Sequence, residues 1–211
     1  SMIGIVGSTG AGKSTLLDLL VGLLEPSSGS IKLDNKTLTR KNSARWQKSI
    51  GYVPQQIFIA DDTVKNNIAL GQNSEEIDIE KVILAAKQAN IYEFIENELP
   101  KKFNTKLGEK GVRISGGQRQ RIGIARALYY QPSVIILDEA TSSLDNKTEK
   151  KIINSMMKLS KEKTLIMIAH RLNTVQFCDC IFYFEKGKLI KSGTMSELSN
   201  DSRFKDYAGM E

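Results

Sequence analysis

The sequence predicts an α/β protein with a mostly parallel sheet, helices on its faces and one all-helical insertion. Two patterns carry that expectation. Apolar runs of strand length alternate with segments whose apolar residues recur every three or four positions, the pattern of βαβ units. In the middle of the chain the alternation stops, and residues from about 57 to 128 read as helix alone.

Taken in order, Met2-Ile3-Gly4-Ile5-Val6 is a short buried strand. It enters the loop Gly7-Ser8-Thr9-Gly10-Ala11-Gly12, and a helix is expected from Lys13 to about Leu24, with leucines at 16, 17, 19, 20, 23 and 24. Pro26-Ser27-Ser28-Gly29 is its expected stop. Residues 31–33 and 50–53 are the next strands, and helices are expected over 64–70, 80–89 and 91–99. A strand at 134–137, a helix at 146–160, a strand at 164–169 and a short helix at 172–177 restore the alternation. Residues 181–184 and 188–192 form a hairpin turned at Lys186-Gly187. The helical stretch is too long for a simple crossover. Residues 1–56 and 129–211 are therefore expected to form a core domain, with 57–128 as an inserted helical subdomain.

Composition narrows the function classes. With 211 residues, 40% hydrophobic and 26% charged, the chain fits a folded globular domain rather than a disordered one. No apolar run approaches the ~20 residues of a membrane-spanning helix, so any membrane part is expected on another segment or chain. The net charge of +6 is spread along the sequence without a dense basic tract, which argues against a nucleic-acid partner. Cys178 and Cys180 are two apart in an expected strand, share a face, and read as reduced thiols rather than a bridge. The amino terminus runs straight into a strand, so no signal peptide is expected.

The loop Gly7 to Ser14 fits the pattern G-x-x-x-x-G-K-[ST] and lies between a strand and a helix, the context that gives the pattern meaning. Glycines let the backbone turn its N–H groups onto an anion, and the helix amino terminus adds its dipole. Lys13 then supplies positive charge near the β- and γ-phosphates, and the Ser14 hydroxyl can ligate Mg²⁺. Downstream, Val134-Ile135-Ile136-Leu137 precedes Asp138-Glu139. Two carboxylates at the carboxyl end of a buried strand lie where open α/β sheets bind ligands. Asp138 is the candidate for the metal and Glu139 for the general base that polarises water.

Ile114-Ser115-Gly116-Gly117-Gln118-Arg119-Gln120-Arg121 contains an S-x-x-Q capping box, which stabilises a helix start by ~1 kcal/mol whatever its function. Two glycines beside the cap lower helix propensity. They make sense where a helix start must lie bare against an anion. This segment resembles the signature of ABC (ATP-binding cassette) ATPases, with Ile in place of the commoner leading Leu.

The resemblance extends over nearly the whole chain, from Ile3 to about Leu198, and implies the rest of the site. The signature of one subunit (Ser115, Gly116, Gly117 and Gln118) closes on the ATP held by the glycine-rich loop of a second copy, in a head-to-tail dimer. Gly7, Ser8, Thr9, Gly10, Ala11, Gly12, Lys13, Ser14 and Thr15 are the implied phosphate contacts. Gln55, in Gly51-Tyr52-Val53-Pro54-Gln55, resembles the glutamine that contacts Mg²⁺ and water, with Gln56 the alternative. Ser142-Ser143-Leu144-Asp145 resembles the loop that crosses the dimer interface, so Asp145 joins the nucleotide contacts. His170, the sole histidine, resembles the switch residue on the γ-phosphate. Two further stretches, Thr105 to Gly111 and Asp62 to Ile68, are similar to those of exporters and favour transport over the alternative of a soluble ABC ATPase working on nucleic acid or ribosomes. The implied cofactors are ATP and Mg²⁺. The implied partners are a second copy and transmembrane domains, fused N-terminally in the parent chain, at the cytoplasmic face of the inner membrane. Family members carry two strands and an adenine-stacking aromatic ahead of the phosphate loop. Here Gly7 stands almost at the start, so a trimmed amino terminus with its first strands missing, and weaker hold on adenine, are expected.

Overall fold

The computed structural model describes residues 1–108, 114–140, 144–169 and 172–209. β1 (Met2–Gly7) leads into α1 (Lys13–Leu20), followed by β2 (Lys32–Leu33), β3 (Lys36–Thr37) and α2 (Arg40–Gln47). β4 (Ile50–Val53) precedes α3 (Val64–Ile68), α4 (Ile79–Gln88), α5 (Tyr92–Glu98), a 3-10 turn at Lys102–Asn104 and α6 (Gly116–Tyr129). Next come β5 (Val134–Asp138), α7 (Asn146–Leu159), β6 (Thr164–Ile168) and α8 (Leu172–Val175). β7 (Cys180–Glu185), β8 (Lys188–Gly193), α9 (Met195–Leu198) and α10 (Ser202–Ala208) complete the series. The elements fall into two compact units, one of Ser1–Ile50 with Thr164–Glu211 and one of Gly51–Lys163. The helical subdomain expected over 57–128 lies inside the second.

In the first unit the strands run in the order β6-β1-β7-β8. β1 is parallel to both neighbours, with Ile3 opposite Ile166 on one side and Cys180 on the other. A strand covered on both faces reads as a continuous apolar run, and Met2, Ile5 and Val6 are all buried. β8 returns antiparallel to β7, through a turn with Lys186 at φ 47° and Gly187 at φ 76°. α10 anchors on the strands through Phe204, whose ring meets Tyr183 edge-on at 5.6 Å between centroids.

Three local expectations for this unit needed correction. α1 stops at Leu20 rather than near Leu24. Gly22, at φ 73°, ends it in a left-handed cap: Gly22 N–H donates to Leu19 O and Leu23 N–H to Asp18 O. Leucine periodicity had masked that glycine, and Leu23 is left 68% exposed. The strand at 31–33 is half of a two-residue hairpin turned on Asp34 and Asn35, both at positive φ. The polar α2 carries almost no apolar pattern; its Trp46 indole donates to Leu20 O at 2.7 Å. Cys178 lies ahead of β7 rather than within it and is buried, which pushes its thiol up to about 12, with the nearby Asp179 adding to the shift.

The second unit places β4 beside β5 and packs α3 and α4 on α6. Ile122, Ile124, Ala125 and Leu128 of α6 are buried. Two glycines allow this close packing. A Cβ on Gly123 would overlap the Ile57 side chain, and one on Gly51 would lie 2.5 Å from Ala127 O and 2.7 Å from Pro132 Cγ. Asn67 of α3 is fully buried. Its amide accepts from Ala60 N–H and donates to Ala60 O, Asp62 O and Thr63 O. Arg126 of α6 donates to Asn67 O at 2.8 Å and so ties α3 to α6. Among the described residues no helix is long and apolar enough to cross a membrane.

Candidate functional site

The phosphate loop belongs to the first unit. β1 delivers the chain to Gly7, where a Cβ would overlap Phe184 O of β7. Gly10 at φ 79° and Gly12 at φ 93° take left-handed conformations that favour glycine. The turn is closed by Ala11 N–H on Ser8 O at 3.1 Å, and the β7–β8 turn supports it through Gly187 N–H on Ala11 O at 3.0 Å. Nothing in the sequence pointed to that support, because the two segments lie far apart in the chain. α1 begins on Gly12 with no side-chain cap and no acidic residue in its first turn. An uncapped amino terminus leaves N–H groups for an anion.

Lys13 is 7% exposed. Its ammonium donates to Gly7 O at 2.7 Å and Ser8 O at 2.9 Å. Withdrawing an ammonium from water is costly, and the loop carbonyls offset that cost while holding the charge within the loop. Ser8, Thr9, Gly10, Ser14 and Thr15 are exposed, whereas Ala11 is buried and Gly12 half-buried. The loop and the first turn of α1 can therefore present backbone donors, one cation and the hydroxyls of Ser8, Thr9, Ser14 and Thr15 to a polyanion.

The acidic pair belongs to the second unit. β5 buries Val134 to Leu137 and ends at the half-buried Asp138. Glu139 follows at φ 50°. Asp34, Asn35, Asn90, Lys102, Gln131 and Lys186 share that left-handed region, so it is the contacts of the Glu139 side chain that single it out. Gln55 Nε2 donates to Glu139 Oε2 at 2.8 Å, and Tyr52 Oη donates to Asp138 Oδ2 at 3.2 Å. Sequence reasoning named Gln55, Asp138 and Glu139 but passed over Tyr52, three residues before Gln55 on the strand that leads to it.

The capping box at the start of α6 is present in full. Ser115 Oγ accepts from Gln118 N–H at 3.2 Å, and Gln118 Oε1 accepts from Ser115 N–H at 2.8 Å. A Cβ added at Gly116 would meet nothing within 4 Å, and one at Gly117 only Leu144 Cδ2 at 3.4 Å. Packing within the described chain thus gives no reason for glycine at 116. Asp145 caps α7, its Oδ1 accepting from Lys147 N–H and Thr148 N–H, so this carboxylate already serves its own helix. The two exporter-like stretches pair with each other: Val64 N–H donates to Thr105 O and Leu107 N–H to Asp62 O, at 3.0 and 3.1 Å. His170, Ser142, Ser143 and the segment from Glu109 through Gly111 lie outside the described residues.

The model of one family, described as ABC transporter, matches residues 1–142. A putative export ATP-binding/permease protein of Rickettsia typhi is 44% identical over 201 residues, covering 95% of this chain and 34% of that protein. ABC transporter B family member 17 of Arabidopsis thaliana is 43% identical over 194 residues, 92% of this chain and 16% of its own length. Among solved structures, a bacterial Atm1-family ABC exporter with ATP bound superposes with a TM-score of 0.91 at 36% identity, over 99% of this chain and 36% of that one. The chain therefore spans about a third or less of these relatives' length.

Proposed function

This chain belongs to the ABC transporter family, and we propose that it is the ATP-binding and ATP-hydrolysing part of an exporter. Two copies close head to tail around two MgATP, and their opening and closing drives export or flipping of a substrate by attached transmembrane domains. Those domains are N-terminal to this chain in the parent polypeptide, and the assembly works at the cytoplasmic face of the inner membrane. The relatives, a putative export protein, an ABC transporter and an exporter with ATP bound, support this direction.

The residues divide the work by chemistry. The loop Gly7 to Gly12 and the first turn of α1 bind the triphosphate, with Lys13 countering its charge. Ser14, Asp138 and Gln55 offer a hydroxyl, a carboxylate and an amide oxygen. Such an all-oxygen set fits Mg²⁺, which takes few protein ligands and keeps phosphate oxygens and water for the rest. When bound, the metal neutralises charge that develops on the transferring phosphoryl group. Glu139 accepts a proton from the attacking water. Ser115, Gly116, Gly117 and Gln118 of the second copy, together with Asp145 and His170, close around the γ-phosphate and its surroundings.

The observation that carries the hydrolytic reading is Glu139 at the end of β5 beside Asp138, its carboxylate held by the Gln55 amide at 2.8 Å. Glu139→Gln keeps the shape and removes the base. Its ATP affinity should match the wild type while turnover falls by about 10²- to 10⁴-fold, the range a general base contributes. A steady-state phosphate-release assay beside equilibrium nucleotide binding checks this, and undiminished turnover would sink the assignment of Glu139.

A further inference from the structure

The strand that leads to Gln55 also presents an aromatic ring to solvent. Tyr52 lies between Gly51 and Val53, both buried, and is itself 44% exposed. Strand propensity alone would account for an aromatic residue there. Two observations point beyond propensity. The Tyr52 hydroxyl reaches Asp138 Oδ2 at 3.2 Å. The backbone beneath the ring is also clamped, since Gly51 has no room for a Cβ between Ala127 O and Pro132 Cγ, and Val53 is fully buried. The ring is therefore an arm of fixed origin. With Gln55 donating to Glu139 at 2.8 Å, one short segment supplies a donor to each of two adjacent carboxylates.

We propose that Tyr52 is a positioning residue for Asp138, holding the plane in which that carboxylate is offered to the metal of MgATP. The inference rests on the reading of Asp138 as a metal ligand. Carboxylates that bind metals are usually hydrogen-bonded in turn, and losing such a partner lowers metal affinity by roughly 10- to 100-fold. This bond is solvent-exposed and long for O–H···O, so its loss should lie near the bottom of that range or below it.

Mn²⁺ serves as the probe, its binding to the full chain followed by electron paramagnetic resonance in saturating non-hydrolysable ATP analogue. Tyr52→Phe keeps the ring and removes the donor. The Mn²⁺ Kd should rise roughly three- to tenfold, with metal-free melting temperature and nucleotide affinity in EDTA unchanged. Asp138→Asn, measured in parallel, should lose most of the Mn²⁺ signal. If it does while Tyr52→Phe binds Mn²⁺ like the wild type, Tyr52 has no positioning role. If metal-free nucleotide binding in Tyr52→Phe weakens as much as Mn²⁺ binding, the tyrosine is structural and the inference is overturned. If Asp138→Asn binds Mn²⁺ normally, the reading of Asp138 fails and takes the inference with it.

Discussion

At Gly116 the physical requirements of the fold and of the proposed chemistry separate cleanly. Glycine at the start of a helix lowers helix stability relative to alanine by up to about 1 kcal/mol, yet a Cβ there would touch nothing in the described chain. Gly51 is the contrast: its missing side chain is demanded by Ala127 O and Pro132 Cγ from within the same unit. Gly116→Ala should therefore leave the melting temperature unchanged or slightly raised while ATP turnover drops by at least about tenfold, because a methyl group would stand between the bare helix start and the second copy's nucleotide. Thermal melts and turnover on the same preparation check it. A variant with normal turnover would return Gly116 to an ordinary helix start.

Three helices are fixed at their first turn by an aspartate cap. Asp78, Asp145 and Asp201 begin α4, α7 and α10, each accepting two backbone N–H groups. These bonds hold all three carboxyls below the ordinary value of 3.8: the Lys81 backbone leads for Asp78, the Thr148 side chain and backbone for Asp145, and the Phe204 backbone for Asp201. A carboxyl lowered in the native state contributes stability that is fully present above its unfolded value and lost as pH falls through its native one. Helix content followed by circular dichroism should thus hold steady down to about pH 4 and decline below the ordinary value of 3.8. In Asp145→Asn, which retains an acceptor without a titrating charge, the share due to α7 should no longer depend on pH. An identical acid profile in that variant would count against the cap as its source.

For the molecule as a whole, the proposal predicts an assembly rather than a contact. With Glu139→Gln preventing turnover, MgATP should drive two copies together, and the scattering mass of this chain should rise from 23.5 kDa toward twice that. EDTA, or the added Asp138→Asn substitution, should return the lower mass. A mass that ignores MgATP in this chain would remove the head-to-tail dimer from the proposal while leaving the phosphate loop untouched.

Much of this was legible in residue order. The phosphate loop, the acidic pair and the α6 cap each lie within a few consecutive residues, so local patterns specify them: a strand, then glycines, then a helix; an apolar run, then two carboxylates; S-x-x-Q. The β7–β8 hairpin and its turn were legible for the same reason. Elements without an apolar pattern, such as α2 and strand β3, escaped; α2 is anchored through Trp46 on Leu20 O, 26 residues away, a contact that spacing does not reveal. Only the tertiary structure decided what holds the local pieces in place. The Gly187 turn bonds to the phosphate loop some 175 residues before it, Val64 and Leu107 pair two separate loops, and Tyr52 crosses 86 positions to Asp138. The sequence alone determined which groups could meet a phosphate, a metal or a water. Long-range hydrogen bonds and close packing at glycines depend on chain closure, and closure is set by the sum of contacts rather than by any one stretch.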